Sequence, residues 1–147
     1  MAFDLHIQLI DPTEQRASST FTWAGPLPIL VDGLQKVANK WIKIFLTRKG
    51  SHPIRRQEGT DFAYLLGGNV DDPDIVQTSI IQYMDDATNQ VKTIQAKQVQ
   101  LPDNERLAAV NLLRFVQASD LTLDVWVQVT NVARQTLNVL IPYARSA

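Results

Sequence analysis

Beyond Pro102 the apolar residues of this chain fall in three strand-like runs, the middle one recurring at every second position, whereas from Pro28 to Arg48 and from Pro73 to Lys97 they recur at every third or fourth. A period of two belongs to a strand with one buried face and a period near 3.6 to a helix, so the change divides the chain into a helical part and a sheet. The alternation is clearest in one run. Leu121, Leu123, Val125, Val127 and Val129 point one way, and Thr122, Asp124, Trp126, Gln128 and Thr130 the other, giving a core face and a partly wet face. Runs at Leu107 to Val116 and Thr136 to Ile141 flank it, parted by Gln117-Ala118-Ser119-Asp120 and Asn131-Val132-Ala133-Arg134. Connections this short predict an antiparallel three-stranded meander.

Two helices are predicted ahead of the sheet. From about Pro28 to Arg48, Leu30, Leu34, Val37, Trp41 and Ile44 fall at alternating steps of four and three and form one seam, which Ile42, Phe45 and Leu46 widen. That is more apolar surface than one neighbouring element needs, so the seam is the candidate helical docking surface for a partner. Gly50 is the expected helix stop. Residues Ser51 to Asn69 read as a loop-rich connection with a short helical turn at Phe62 to Leu66. Asp71 or Asp72 before Pro73 starts the second helix, with Pro in the first turn and Asp74 at the positive end of the dipole. It runs to about Lys97 on the face Val76, Ile80, Tyr83, Met84, Ala87, Val91 and Ile94, continued by the polar Gln90, Gln95 and Gln98.

The N-terminus alternates as well, with Phe3, Leu5, Ile7 and Leu9 on one side and Asp4, His6 and Gln8 on the other, up to Asp11-Pro12. Residues 1–24 are therefore an extended arm, which either joins the chain's own sheet or is a strand donated to a neighbour. Residues 25–147 are expected to form a single α+β domain: two long helices packed on a small three-stranded meander.

Composition excludes several classes of function. The chain has 147 residues, enough for one domain with a real core, and 14 Lys and Arg stand against 15 Asp and Glu. No bulk charge draws it to nucleic acid or membrane. There is no cysteine, hence no disulfide, thiolate nucleophile or Cys-based zinc site. The first residues do not resemble a signal peptide and no apolar stretch approaches the ~18 residues of a membrane span, so synthesis in the cytoplasm is expected.

Catalytic patterns are sparse. His6 and His52 are the two histidines, one in the alternating arm and one before a proline, with no metal-ligand spacing and no triad partners in pattern. Asp71-Asp72-Pro73-Asp74 lacks the Gly and later Glu of a calcium loop and reads as a helix start. Gly67-Gly68 fits no phosphate-binding fingerprint. Glu58 and Asp61, two acids in one loop, keep open a peptidoglycan-cleaving glycosidase as the alternative from the enzyme class. Arg48, Lys49, Arg55 and Arg56 form a basic patch that is either a solvated loop or a site for a carboxylate-bearing protein partner. No cofactor is expected.

The stretch Trp41-Ile42-Lys43-Ile44-Phe45-Leu46-Thr47-Arg48-Lys49-Gly50-Ser51-His52-Pro53, through Glu58-Gly59-Thr60-Asp61-Phe62 and on to a leucine pair and a long amphipathic helix, resembles the lysozyme-like baseplate wedge family of contractile phage tails, whose members are also called sheath initiators. Related subunits sit in type VI secretion baseplates. The likeness spans roughly residues 28 to 142 and is one of order and spacing. It implies a structural, non-enzymatic subunit of the virion's tail baseplate, made in the host cytoplasm. Its partners would be the larger wedge subunits, engaged through a helical bundle, and the tail sheath subunit, engaged by strand sharing, with tail tube or hub proteins as further candidates. The family's Glu-Pro-Arg motif at the passage from helix to sheet corresponds here to Asn104-Glu105-Arg106-Leu107, with the proline at Pro102, and makes Glu105 and Arg106 the candidate sheath-side contacts. The family name implies a muramidase, yet this chain offers no clear acid and nucleophile pair. Another tail or head completion protein of similar size is a further alternative.

Overall fold

The computed structural model describes residues 33–65, 72–119 and 122–144, and of 7–8 and 20–21 the backbone alone. Ile7–Gln8 (β1) and Thr20–Phe21 (β2) pair antiparallel in a two-stranded sheet of their own, with Ile7 opposite Phe21. The arm residues Phe3, Leu5 and Leu9 lie outside the described residues, as do Leu30 and Gly67-Gly68.

Helix α1 covers Gly33–Leu46 and helix α2 covers Pro73–Ala96. The end of α1 comes before the glycine expected to stop it. Arg48 is drawn into a parallel bridge with Thr60, and Thr60 N–H donates to Thr47 O at 2.8 Å, so the backbone leaves helical geometry at once. Gly50 instead serves a turn beyond the helix, at φ +83. The start of α2 is as expected: Asp72 caps it by accepting from Asp74 N–H at 2.9 Å, and Pro73 occupies the first position, where no helical N–H is needed. A short 3-10 turn, Phe62–Tyr64, precedes it.

Strands Leu107–Ser119 (β3), Thr122–Asn131 (β4) and Thr136–Ala144 (β5) form an antiparallel meander in the order β3-β4-β5. The fold is α+β, as the change of hydrophobic period requires. Along β4 the residues alternate as expected, Leu123, Val125, Val127 and Val129 buried and the residues between them half-buried. On the outer face the Arg114 guanidinium lies 4.0 Å from the centre of the Trp126 ring, which shields part of the indole from water.

The inner face of β4 meets α1, which also crosses β5 and packs on α2, while α2 runs along β3. Sandwiched in this way, α1 buries Val37, Ala38, Trp41, Ile42, Ile44 and Phe45. Its breadth of apolar surface is thus used within the chain. Trp41 stacks on Phe45 at 4.8 Å between ring centres, Phe45 tilts against Phe62 at 4.4 Å, and Phe62 meets the edge of Tyr143 at 5.1 Å. The buried indole N–H of Trp41 donates to Thr88 Oγ1 of α2 at 3.0 Å, so its burial leaves no unpaired donor.

Between α1 and the 3-10 turn the loop folds back tightly on the helix end. Gly59 has φ +113, and a Cβ there would stand 2.4 Å from Thr47 O. Gly50 has open space around it. Gly59→Ala should therefore lower stability by about 2 kcal/mol or more through backbone strain and contact together, and Gly50→Ala by only about 1 kcal/mol through strain alone. Urea unfolding midpoints of the two variants check this difference.

Candidate functional site

The passage from α2 to the sheet holds the two residues singled out as sheath-side contacts. A second 3-10 turn, Asp103–Glu105, follows Pro102, whose fixed φ suits the position ahead of the turn. The Glu105 carboxylate, 15% exposed, accepts from Lys36 Nζ of α1 at 2.8 Å. Arg106 donates from Nη2 to Leu101 O at 3.1 Å, and its own carbonyl accepts from Val132 N–H at 2.9 Å. Both residues are thus held by partners within the chain. They close a junction between α1, α2 and the hairpin of β4 and β5.

The junction depends on a residue that the hydrophobic pattern passes over. Gln95 is buried on the core stripe of α2 and binds the backbone at two points: Nε2 donates to Glu105 O at 3.0 Å and Oε1 accepts from Leu107 N–H at 2.8 Å. Asn131, buried at the end of β4, reaches Asn104 O through Nδ2 at 2.8 Å. The signal for Gln95 is a polar residue four positions after Val91 on an otherwise apolar stripe. Gln90 acts likewise one turn and a half earlier, clamping both backbone groups of Gly59 at 2.8 and 2.9 Å.

The helical seam read as a docking surface faces inward, which corrects that expectation. Val37, Trp41 and Ile44 are buried and Leu34 packs partly buried against the same core. The stripe is covered by α2 and the sheet, while Lys36, Lys40 and Lys43 leave another side of α1 open to a groove.

The two edges of the three-stranded sheet differ. In β3 the register shifts between Leu107 and Ala109, between Leu112 and Arg114 and between Gln117 and Ser119, so an extra residue enters three times and Leu113 turns out of the core. Bulges bend and twist an edge and spoil its match to an incoming strand. In β5 the pairing with β4 runs unbroken from Thr136 opposite Thr130 to Ala144 opposite Thr122. Among the described residues, β5 is the edge strand of unbroken register, and its run of backbone donors is interrupted at Pro142, which has no N–H.

Two grooves flank the loop that carries Glu58. One, of about 320 Å³, lies between α1 and the junction and includes Lys36, Lys40, Lys43, Arg55, Glu58 and Glu105. The other, of about 570 Å³, runs along α2 from Asp86 to Lys97. Glu58 lines both and accepts from Arg55 Nη1 at 3.4 Å, whereas Asp61 is exposed and lines neither. His52 has a local role, its Nδ1 accepting from the N–H groups of Ile54 and Arg55 at 3.3 and 3.0 Å. Among the described residues no cluster of His, Asp and Glu gathers for a metal ion, and no helix is long and apolar enough to cross a membrane.

Searched against known proteins, the chain matches no family model and no curated protein. Its own geometry generates a direct test of the junction. Gln95→Ala leaves the buried Leu107 N–H and the part-buried Glu105 O without this partner and should cost about 2 to 3 kcal/mol. Hydrogen exchange at the Leu107 amide should accelerate more than at the amides of mid-β4, which reports the junction separately from the whole fold.

Proposed function

We propose that the chain is a structural, non-enzymatic subunit of the baseplate wedge of a contractile tail, where its sheet takes up a strand from the first ring of sheath subunits and so starts the sheath. The observation that carries this reading is the contrast between the sheet edges. Strand addition needs a row of unpaired backbone groups in regular spacing, and β5 offers that over residues 136 to 141, ahead of Pro142, which has no N–H to give, where β3 is broken by three shifts. The likeness of residues 41 to 62 and of the element order to the baseplate wedge family supports the same reading.

Glu105 and Arg106 fit it as well, in a revised role. Because both are engaged within the chain, their contribution to the sheath side is to set the angle at which the sheet leaves the helices. The larger wedge subunits, with tail tube or hub proteins beside them, complete the proposed surroundings in the virion, and the wedge contact uses a surface other than the buried seam.

Charges placed on the β5 edge should block sheath growth while leaving the core alone. Asn138 is exposed and Leu140 half-buried on the outer face, and lysine at both is the kind of substitution that keeps edges from pairing. Baseplates lacking the chain are to be supplied with wild type, with Asn138→Lys/Leu140→Lys, or with Val116→Lys on β3. Sheathed tails counted by electron microscopy should fall about tenfold with the β5 variant and hold steady with the β3 variant. Full-length sheath at normal yield on the folded β5 variant would refute strand uptake at this edge.

A further inference from the structure

The loop between α1 and the 3-10 turn carries Ile54 at its tip, 86% exposed. Exposed isoleucines are common, but this one stands on a backbone braced from several sides. Gly50 N–H donates to Arg56 O at 3.0 Å and Glu58 N–H to Arg55 O at 2.9 Å, closing the loop on itself. His52 Nδ1 accepts from the two N–H groups at and after the tip. At the base Gln90 clamps Gly59, and Thr60 Oγ1 donates to Phe45 O at 2.7 Å. A tip held this way loses little conformational entropy when it is covered, which is what makes a single apolar side chain useful as an anchor.

Charge around the tip is one-sided. Residues 48 to 61 contain Arg48, Lys49, Arg55 and Arg56 against Glu58 and Asp61, four cations to two carboxylates. Arg48 lies over the Tyr64 ring at 4.7 Å, while Lys49, Arg55 and Arg56 are exposed, Arg55 in a solvent-facing pair with Glu58 at 3.4 Å that a partner's carboxylate would have to share or replace. We infer that the Ser51–Glu58 loop is a preformed docking knob for a protein partner, with Ile54 entering an apolar pocket and Arg55 and Arg56 meeting carboxylates on its rim. An apolar side chain directly before two exposed arginines favours a protein over nucleic acid, since phosphates give it nothing to cover it. The inference needs only a protein partner and does not rest on the tail reading. On that reading, the knob is the surface that replaces the buried seam as the anchor to the wedge.

A displayed library of small folded domains with a randomised concave face, panned on the full-length chain with Ile54→Asp as counter-selection, tests it without knowing the partner. The selected domains should line that face with apolar residues and rim it with Asp or Glu. Purified and titrated calorimetrically, they should bind about tenfold or more weakly to Ile54→Asp and to Arg55→Glu/Arg56→Glu, and more weakly as salt is raised. The tip side chains lie outside the core, so both variants should keep the wild-type circular dichroism spectrum. Gln90→Ala, which frees the base without touching the tip, should also weaken binding. Overturning results are selected domains without acidic enrichment, no domain that prefers the wild type to Ile54→Asp, or tighter binding of a short DNA duplex or of phosphatidylserine vesicles than of any selected domain. Failure here leaves the β5 edge test untouched, because the two surfaces are changed by different substitutions.

Discussion

The row of rings from Trp41 through Phe45 and Phe62 to Tyr143 ties together three parts of the chain that are distant in sequence: α1, the turn that follows its loop, and the last strand. Aromatic rings bury large areas and accept only certain mutual angles, so each ring restricts the position of the next. Once Phe62 is seated between Phe45 and Tyr143, the loop before it has a fixed end and β5 has a fixed height relative to α1. The hydrogen bond from Trp41 to Thr88 carries the constraint across to α2. Everything on the surface that can meet a partner is referred to this buried line.

Two glutamines of α2 convert that rigidity into the positions of surface elements. Gln90 holds the loop at Gly59 and Gln95 holds the start of β3, each by a pair of hydrogen bonds to backbone. A helix is a stiff spacer, so the loop and the sheet start keep a constant separation. The proposed division of surfaces follows from this arrangement: a sheet edge of unbroken register at β5, and a braced loop with an apolar tip beyond the C-terminal end of α1. On the proposed reading the two surfaces must stand in a constant relation, and polar clamps on one helix provide it.

The elements were legible because periodicity records which face of each segment avoids water. The alternation of β4, the capped start at Asp72-Pro73 and the turn at Phe62 all have causes within a few residues. The seam on α1 was legible too, but its meaning was not. A stripe such as Val37, Trp41 and Ile44 looks the same whether it is covered by the chain's own sheet or by another protein, and only the packing of α1 between α2 and β4 settles that it faces inward. The role of Glu105 was similarly hidden, since its partner Lys36 lies 69 residues away.

The sequence by itself determined the α+β class, the order of the elements, the inner face of β4 and the absence of thiol chemistry. These are local or compositional properties, set by hydrophobic period, by helix-start residues and by which side chains exist at all. Tertiary structure alone decided that the α1 seam is core, that β3 is blunted and β5 unbroken in register, and that Gln90 and Gln95 are clamps. Each of these is a relation between segments, fixed by where one backbone meets another, and a pattern read along a single segment does not contain the position of its neighbour.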